Sequence, residues 1–517
     1  MKHYDFLIIG TGAGNIVLDA ALDAGLRCAQ IEKGKFGGTC LTRGCIPTKT
    51  LITPVDMKRD LEALKRTGVI KGDIEIDWTA LGKRMWDKIN ESKDILEEYR
   101  EEDNLDVYQG TGFFTEDKVL RVEYDDGALS EPMTADTIVI AAGARTRTLD
   151  IENLEDVGYI TSETFFGDKF PERPYKSLAI IGGGVIAAEF AHLFNSLGTD
   201  VTIIQRNCRL VPRMDIEIAQ TLGKSFAAAG IRTEFNKDTV RVERDGDEKV
   251  LIAVDHITGE ESRYRAEEIL LAPGVVSNAD TLKLDNTSIT VNDADYIVTN
   301  EYLETSVDGV YAMGDINGRH QLRHVANYEA EALAYNLTEA KDGGRRKAVR
   351  YDVVPAAIFT YPQIGSVGMT EEQARLSDDV KQPGVGYFYY GHTAKAFAMG
   401  IKPDDEDHYA KVIADLDDNR ILGAHIIGPE ASVLIQPYVN LLNTGHFEQP
   451  VIAPEIGSER TARERRERER FIEPNTLDAV NDTMVIHPAL SEVAVWAAST
   501  VEPVDEADAR SHEEIYC

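Results

Sequence analysis

The chain has 517 residues, of which 43% are hydrophobic and 8% aromatic, a composition typical of a globular protein with several domains. Lysine and arginine total 55 against 89 aspartates and glutamates, a formal net charge of −34, which argues against nucleic acid and anionic membranes as partners. No apolar run is long enough to span a bilayer, and the N-terminus lacks the pattern of a signal peptide, so we expect a cytoplasmic protein.

The acidic residues are spread along the whole chain, for example in RDGDEK, KPDDEDH and ADLDDN. Dissolved salt screens surface charges from one another, so a distributed carboxylate surface suits a cytoplasm rich in salt. We therefore hypothesise a halophilic or salt-accumulating source, with ordinary acidity as the alternative.

The first predicted strand, YDFLIIG, is followed by a glycine-rich turn that contains Gly10, Gly12 and Gly14. A helix-like segment comes next, and a second strand then ends at Glu32. This order is typical of a dinucleotide-binding unit, because the glycines let a pyrophosphate approach a helix N-terminus and the carboxylate accepts ribose hydroxyls. Asn15 stands at the third position of the fingerprint in place of a glycine.

Two of the five cysteines lie close together, in GGTCLTRGCIPTK. Cys40 and Cys45 fall on the expected first turn of a helix, where the helix N-terminus favours a thiolate and one turn brings two sulfurs within bonding range. The pattern predicts a redox-active pair, and two unlinked buried cysteines are the alternative. The remaining cysteines are Cys28, Cys208 and Cys517. Five cysteines are too few and too unevenly spaced for a secreted disulfide framework.

A second glycine unit follows in LAIIGGGVIAAEFAHLFNSLGTDVTIIQR, with Gly182, Gly184 and Ala187 at the fingerprint positions. Two complete units predict two bound dinucleotides. The apolar runs TIVIAAGA and EILLAPGV resemble crossings between two domains, and VDGVYAMGDI supplies a later strand that ends at Asp315.

The second unit also indicates which nicotinamide cofactor is used. An NAD enzyme usually carries an acidic residue at the end of the second strand, whereas this chain has Gln205 and Arg206. Loss of the carboxylate and gain of a cation favour a 2′-phosphate. We therefore predict NADPH, with NADH possible. The expected contact is Arg206, and Arg209 or Arg213 are further candidates. An exposed arginine without a ligand is the alternative.

From about residue 348 the sequence predicts strands and helices without a glycine fingerprint. Within this part, SERTARERRERERF predicts a solvated helix or a disordered insert, and the last residues predict an acidic flexible tail. The segment MVIHPALSEV contains His487 and Glu492. A histidine titrates near neutrality and a carboxylate fixes its tautomer, which is the pattern of a general acid–base pair; a structural histidine is the alternative.

Together the cysteine motif, the glycine units and the His487–Glu492 element resemble the pyridine nucleotide-disulfide oxidoreductase family, which includes glutathione reductase, lipoamide dehydrogenase and mycothione reductase. The resemblance covers nearly the whole chain except the Arg/Glu insert and the tail. It implies that Cys45 is the charge-transfer thiolate against a flavin and that Cys40 attacks the substrate disulfide. It also implies an obligate homodimer in which His487 reaches the cysteines of the partner subunit.

By the same resemblance, Lys49 lies near the flavin and pairs with Glu189, whose carboxylate holds the lysine cation in place. No metal is expected. The residues expected to bind FAD or the nicotinamide cofactor are Gly10, Gly12, Gly14, Glu32, Lys33, Thr39, Lys49, Gly112, Gly143, Gly182, Gly184, Ala187, Glu189, Arg206, Gly274, Asp315 and Arg323.

The expected fold class is α/β, with two Rossmann-like dinucleotide-binding domains and an α+β C-terminal dimerisation domain. The expected bounds are 1–149 and 271–347 for the two parts of the FAD-binding domain, 150–270 for the NAD(P)-binding domain, 348–500 for the dimerisation domain with a charged insert near 451–482, and 501–517 for the tail.

The substrate is predicted from local sequence. Segments such as GTGAGN, IAAEFAHLF and HVANYEA are more similar to mycothione reductase than to lipoamide dehydrogenase. We therefore expect reduction of a low-molecular-weight disulfide that is like mycothione or glutathione, or is bis-γ-glutamylcystine. Arg43, between the cysteines, is a candidate for lowering their pKa or attracting an acidic disulfide, and an exposed side chain is the alternative.

Other functions remain open. An NAD-linked dihydrolipoamide dehydrogenase of a 2-oxoacid dehydrogenase complex is the second reading. A non-catalytic flavin-binding protein is disfavoured because both cysteines and the His487–Glu492 pair are present. Reduction of mercuric ion is disfavoured because the C-terminus offers Cys517 alone.

Overall fold

The computed structural model describes residues 1–340, 343–466, 468–499 and 501. Of the expected acidic tail, only residue 501 falls inside these ranges, and Cys517 lies outside them. Within the same ranges, no helix has both the length and the apolar character that crossing a membrane requires.

The strands of the described residues are, in chain order, β1 Lys2–Ile9, β2 Cys28–Glu32, β3 Leu105–Gln109, β4 Thr111–Glu116, β5 Val119–Glu123, β6 Met133–Ile140, β7 Ala144–Thr146, β8 Ser177–Ile181, β9 Asp200–Ile204, β10 Arg232–Glu234, β11 Lys237–Asp245, β12 Glu248–Asp255, β13 Glu261–Ala266, β14 Glu268–Leu271, β15 Val275–Ser277, β16 Val310–Ala312, β17 Ala356–Ile358, β18 Ile364–Gly368, β19 Pro383–Tyr389, β20 Tyr409–Asp415, β21 Arg420–Ile427, β22 Gly445–Glu448 and β23 Glu469–Ile472.

The α-helices of the same ranges are α1 Gly14–Asp23, α2 Gly38–Thr42, α3 Cys45–Arg66, α4 Trp78–Glu101, α5 Leu154–Val157, α6 Ser162–Phe165, α7 Val185–Ser196, α8 Ile216–Ala228, α9 Arg323–Thr338, α10 Glu371–Leu376, α11 Ala394–Ala398, α12 Ala431–Leu434, α13 Gln436–Leu442, α14 Glu459–Glu464, α15 Asp478–Asn481 and α16 Ser491–Ser499. Short 3-10 helices lie at Ala279–Leu282, Leu284–Asn286, Gly314–Asn317 and Tyr390–His392.

The first sheet is built from two separate stretches of chain. Its strand order is β3-β2-β1-β6-β5-β4, and β16 joins it by pairing with β6. The pairs β1–β2, β2–β3, β1–β6 and β6–β16 are parallel. The apolar residues of β1 are buried, as expected for a strand that is covered on both faces. Pairing of β16 with β6 brings the segment before Asp315 back to the first glycine loop.

The second glycine unit forms a sheet of its own, with the order β10-β9-β8-β14 and parallel pairing throughout. Between β10 and β14 the chain forms an antiparallel meander with the order β11-β12-β13. The third sheet is antiparallel, with the order β17-β18-β21-β20-β19. These three units confirm the predicted fold class.

The charged insert differs from its prediction as a solvated helix or disordered segment. It forms α14 and β23, and β23 pairs antiparallel with β22, which lies just before the insert. The guanidinium of Arg465 contacts both carboxylate oxygens of Glu301, a residue that is 2% exposed. Arg346 bridges Glu304 and Glu464. Alternating charges along a sequence do not reveal distant partners, and here the partners are carboxylates just before β16.

Candidate active site

The cysteine segment packs directly on the first glycine loop. Gly37 and Gly38 both have positive φ values, +96° and +68°, a conformation that glycine adopts without strain. A Cβ atom on Gly38 would lie 2.6 Å from the Cα atom of Gly12. Cys40 follows in the short helix α2, and Cys45 is the first residue of α3. Both thiols are therefore placed at helix N-termini beside a dinucleotide-binding loop.

The two cysteines are free thiols that hydrogen-bond each other. This hydrogen bond and burial raise the pKa of Cys40 well above its usual range. The same hydrogen bond lowers the pKa of Cys45 to about 6, against the effect of burial and with help from Lys49 and His487. The reduced pair therefore holds one thiol, on Cys40, and one thiolate, on Cys45, near neutral pH.

Lys49 links the cysteine helix to the second glycine unit. Its ammonium lies 2.8 and 2.9 Å from the two carboxylate oxygens of Glu189, on α7. The Glu189 carboxylate also accepts a hydrogen bond of 3.1 Å from the backbone N–H of Phe359, and the Lys49 ammonium lies 4.6 Å from the centre of the Phe359 ring. Both members of the pair are mostly buried, with side-chain exposures of 18% and 7%.

His487 and Glu492 form the expected pair. The Nδ1 atom of His487 lies 2.6 Å from Glu492 Oε1, and the backbone N–H of Ala489 donates to the other carboxylate oxygen at 3.2 Å. This second contact fixes the carboxylate and, through it, the orientation of the ring. Within the described chain, His487 lines the same cleft as its own Cys45. The resemblance implied the cysteines of a partner subunit, and which subunit's cysteines His487 serves stays a prediction.

The first glycine loop has the shape that a pyrophosphate requires. Gly10 has a φ of +104°, and a Cβ atom there would lie 2.3 Å from the carbonyl oxygen of Ala141. Glu32 accepts hydrogen bonds from the backbone N–H of Thr11 and of Gly34, at 3.1 and 2.8 Å. The carboxylate is thereby held at the end of β2, where it can accept ribose hydroxyls.

Arg323 and Asp315 complete this end of the cleft. The buried Nε atom of Arg323 lacks a hydrogen-bond partner among the described residues, as expected of a donor that awaits a ligand. Burial raises the pKa of Asp315 to about 7, with Cys45 and Glu329 acting in the same direction. An orphaned donor, a glycine cradle and a carboxyl group beside the cysteines together fit FAD.

The second glycine loop repeats this construction. A Cβ atom on Gly182, whose φ is +114°, would lie 2.2 Å from the carbonyl oxygen of Ala272, whereas no protein atom lies within 4 Å of the position a Cβ would take on Gly184. The loop is therefore closed on the protein side and open towards the cleft. Arg206 lines the cleft with its side chain 78% exposed, and it contacts Asp238 at 3.2 Å.

One cleft of about 1320 Å³ connects these features. Three expected residues do not line it. Ala187 is fully buried in the hydrophobic core, so the structure gives this fingerprint position a role in helix packing. Glu492 acts through His487, and Arg209 turns towards Pro212 and Glu372. The expected residues that line the cleft are Gly10, Gly12, Gly14, Glu32, Lys33, Thr39, Cys40, Arg43, Cys45, Lys49, Gly112, Gly143, Gly182, Gly184, Glu189, Arg206, Arg213, Gly274, Asp315, Arg323 and His487.

The sequence analysis missed two residues of the cleft. His324 is buried, contacts the carbonyl oxygen of Pro355 through Nε2 at 2.8 Å, and has its pKa lowered to about 4 by burial. Phe359 supports Lys49 and Glu189, as described above. His324 lies in the segment HVANYEA, which the sequence analysis used only for its similarity to mycothione reductase. No sequence pattern marks Phe359, because its contacts are made by its backbone N–H and by its ring.

Arg43 contacts Glu163, on α6, and its side chain is 29% exposed. It lines the cleft, so it is neither a free loop-tip residue nor an unpaired cation. An acidic substrate would have to compete with Glu163 for this guanidinium.

Comparison with known proteins places these features in a family. The model of the pyridine nucleotide-disulphide oxidoreductase family matches residues 4–330, and the model of that family's dimerisation domain matches residues 354–467. Mycothione reductase from Mycobacterium tuberculosis H37Rv is 35% identical over 453 residues, which cover 86% of this chain and 94% of that protein. Dihydrolipoyl dehydrogenase from Chlamydia muridarum is 31% identical over 510 residues, covering 98% and 97%.

Two further proteins are informative. Dihydrolipoyl dehydrogenase from Haloferax volcanii is 28% identical over 500 residues, covering 96% of this chain and 95% of that protein. The solved structure of the HOCl-induced flavoprotein disulfide reductase RclA from Escherichia coli, as its Cu(II) complex, superimposes with a TM-score of 0.73 at 24% identity, covering 97% of this chain and all of that one. This structural likeness supports the fold.

The chain belongs to the pyridine nucleotide-disulphide oxidoreductase family. It is an oxidoreductase of the flavoprotein disulfide reductase class, acts on sulfur groups of donors, and uses FAD and NAD(P)H. The family and the cofactors expected from the sequence are confirmed.

Proposed function

We propose that this protein is an NADPH-dependent reductase of a low-molecular-weight disulfide, and that Cys40 and Cys45 are its redox-active pair. The observation that carries the proposal is the position of the two thiols, which hydrogen-bond each other in the cleft that is lined by both glycine loops and by Lys49. The test is replacement of each cysteine by serine. Either change should abolish disulfide reduction, and turnover that survives either change would contradict the proposal.

FAD, when bound, supplies the route by which two electrons pass from the nicotinamide to the disulfide form of the pair. Gly10, Gly12, Gly14, Glu32 and Arg323 would hold it, on the fit described above. Lys49 keeps a positive charge beside the cysteines, and Glu189 fixes the position of that charge. The deep, narrow setting of Cys40, which is 6% exposed, limits the access of water to the pair.

The reduced pair then acts on the substrate. Cys40 gives its proton to His487 and attacks one sulfur of the substrate disulfide, which forms a mixed disulfide and releases a thiolate. His487 returns the proton to that leaving thiolate. The Cys45 thiolate attacks the Cys40 sulfur and breaks the mixed disulfide, which restores the Cys40–Cys45 disulfide. The second half of the substrate leaves as a thiolate and takes a proton from the solvent. Glu492 holds the ring of His487 in one orientation during both transfers.

The choice of NADPH rests on the end of β9. Gln205 and Arg206 stand where an acidic residue would select NAD, and Arg206 and Arg213 both line the cleft. Arg209 faces Glu372 instead and is not part of the proposal. Comparison of kcat/KM for the two cofactors tests the assignment. NADPH should be preferred, Arg206→Gln should reduce the preference, and a preference of the native enzyme for NADH would contradict it.

The substrate is proposed to be like mycothione or glutathione, or to be bis-γ-glutamylcystine, in part because mycothione reductase is 35% identical to this chain. A second candidate is NAD-linked dihydrolipoamide dehydrogenase, favoured by relatives of that name that match 98% of the chain. A panel of disulfides with NADPH, and dihydrolipoamide with NAD in the reverse direction, separates the two. Efficient oxidation of dihydrolipoamide with weak reduction of every small disulfide would favour the second candidate.

We also propose a homodimer with shared active sites. The dimerisation domain ends, by its family match, at residue 467, and the His487 segment follows it directly. When identical segments are exchanged between subunits, contacts made within one chain are made between two. The contact of His487 with the cleft of its own chain would then be made with the cleft of its partner. The proposed domain bounds are those given from the sequence, with the insert near 451–482 packed against the first domain.

The location is proposed to be a reducing, salt-rich cytoplasm, on the composition and on the similarity to a Haloferax protein. Activity and stability should rise when potassium chloride is raised from dilute to molar concentration, because salt screens repulsion among the excess carboxylates. Activity that is highest in dilute buffer and falls steadily with added salt would contradict a halophilic origin.

A further inference from the structure

A second pair of side chains, Asp56 and His192, joins the helix of the cysteines to the helix of Glu189. Asp56 lies on α3, about two turns beyond Lys49, and His192 lies on α7, about one turn beyond Glu189. The His192 Nε2 atom is 2.6 Å from the Asp56 Oδ1 atom. The side chain of His192 is 3% exposed and that of Asp56 is 19% exposed. None of the proposed redox or acid–base steps uses this pair.

The surroundings hold the pair in place from three directions. Ser196 Oγ lies 3.3 Å from His192 Nδ1, on the side of the ring away from Asp56. The ring of Tyr361 stacks on the imidazole with 6.2 Å between centroids and 19° between planes. Gln363 hydrogen-bonds Asp56. A surface ion pair would not be enclosed in this way, so the arrangement serves something besides solubility.

The pair is electrostatically connected to the cysteine site. Burial raises the pKa of Asp56, the hydrogen bond from His192 opposes this, and the Glu189 carboxylate adds to the increase. Glu189 in turn disfavours the Cys45 thiolate, whereas Lys49 favours it. Asp56 therefore acts on Glu189, and Glu189 and Lys49 act with opposite effects on the Cys45 sulfur.

We propose that Asp56 and His192 are a positioning pair: their hydrogen bond holds α3 against α7 and so keeps Lys49 and Glu189 in place beside the cysteines. The inference rests on the proposed role of Cys45 and extends it to residues two turns away. Without His192 the carboxylate at position 56 would be unpaired and would oppose the Cys45 thiolate, whereas removal of that carboxylate would favour the thiolate.

Other charged or titratable groups face the same region, and they are not altered in the Asp56 and His192 variants. They are Lys49, Lys58, Arg59 and Asp60 on α3, Glu189 on α7, Tyr361 on the segment between β17 and β18, and Glu430 before α12.

The experiment measures the rate at which iodoacetamide alkylates Cys45 in the reduced holoenzyme as a function of pH, with peptide mass spectrometry to locate the label. Asp56→Asn should lower the midpoint by a few tenths of a pH unit, and His192→Gln should raise it by a similar amount, each about a twofold change in the thiol–thiolate ratio. Shifts of the two single variants in the same direction would overturn the inference.

The matched control is Arg59→Gln. Arg59 also joins α3 to α7, through 2.6 Å to Asn195 and 3.0 Å to Ser196, but it lies farther from Cys45 along the helix. The Arg59→Gln variant should lower the thermal stability and leave the alkylation midpoint of Cys45 unchanged. If it shifted the midpoint as much as the Asp56 and His192 variants do, then any loss of contact between α3 and α7 would have this effect, and the inference would be overturned. If His192→Gln does not fold, Asp56→Glu decides, because it keeps the charge and should retain the native midpoint where Asp56→Asn does not.

The two levels of the proposal fail separately. If the native enzyme shows no alkylation midpoint near neutrality, the proposed role of Cys45 fails. If the native midpoint is present and the Asp56 and His192 variants do not move it in opposite directions, the positioning pair alone fails.

Discussion

Gly38 lies against Gly12, so the segment that carries the cysteines and the loop that is proposed to receive the dinucleotide pyrophosphate share one contact. The contact is backbone against backbone, which leaves no flexible side chain to move aside. The contact explains how the two sulfurs take a fixed position relative to the glycine loop, which lies before α1 and β2 in the chain.

Substitution of Gly38 by alanine tests this contact. The new Cβ would meet the Gly12 Cα at 2.6 Å and the residue would keep a φ of +68°, so the loop must shift and FAD content should fall severalfold. Bound flavin per chain, read from visible absorbance after gel filtration, measures the effect. Gly72→Ala is the control, because Gly72 has a φ of +100° with no atom within 4 Å of the new methyl group. It should lose about 1 kcal/mol of stability and retain its flavin; an equal loss of flavin would show that backbone strain alone is responsible.

The thiolate on Cys45 predicts how the reduced enzyme depends on pH. The pKa of this thiol falls from an ordinary 9.0 to about 6 in the folded protein. A folded-state pKa below the unfolded value contributes stability that is fully present above the unfolded pKa and is lost as the pH falls through the folded one. The advantage of the reduced native enzyme over Cys45→Ser should therefore grow between about pH 6 and pH 9. Thermal unfolding under reducing conditions at several pH values measures it. A constant difference between the two proteins would mean that Cys45 is not a thiolate in the fold.

How far the sequence could predict the site depends on the range of each interaction. Cys40 and Cys45 were evident because their spacing is local, and the pairing of Lys49 with Glu189, although 140 positions apart, followed from resemblance to a family. No such help existed for Asp56 and His192, which lie within ordinary helices. The charged insert also shows that contacts between distant positions could not be predicted from the sequence. Its arginines were visible in the sequence, but Glu301, the partner of Arg465, lies 164 positions away in a different domain.

Arg465 should be the anchor of the insert. Its guanidinium contacts a Glu301 side chain that is 2% exposed, so Arg465→Gln leaves a buried carboxylate without its cation and should cost about 3 kcal/mol. Arg463→Gln is the matched control, because Arg463 is exposed and lies in α14, two residues before Arg465. Thermal unfolding and limited proteolysis between residues 449 and 475 compare the two. The Arg465 variant should be cut faster and melt lower, whereas equal behaviour would mean that the insert is held by other contacts.

Whether the histidine serves its own cleft or that of its partner can be decided with two inactive variants. Cys45→Ser lacks the thiolate and His487→Gln lacks the proton carrier, so neither homodimer should reduce a disulfide. If the sites are shared, a heterodimer has one site with both residues intact, and an equal co-expression should recover about a quarter of the native activity, since half the dimers are mixed and each has one working site. Differently tagged chains and two affinity steps isolate the heterodimer, in which half the native activity is expected.

The control for this complementation is the pair Cys45→Ser with Cys40→Ser. These residues belong to the same chain in either arrangement, so their heterodimer should stay inactive. If the Cys45→Ser and His487→Gln heterodimer is also inactive while its dimer is intact by gel filtration, then each His487 acts on the cysteines of its own chain, as the contacts within the described chain would allow. Recovery of activity would instead assign those contacts to the interface between subunits, and would explain why a segment so close to the cysteines follows directly after a dimerisation domain.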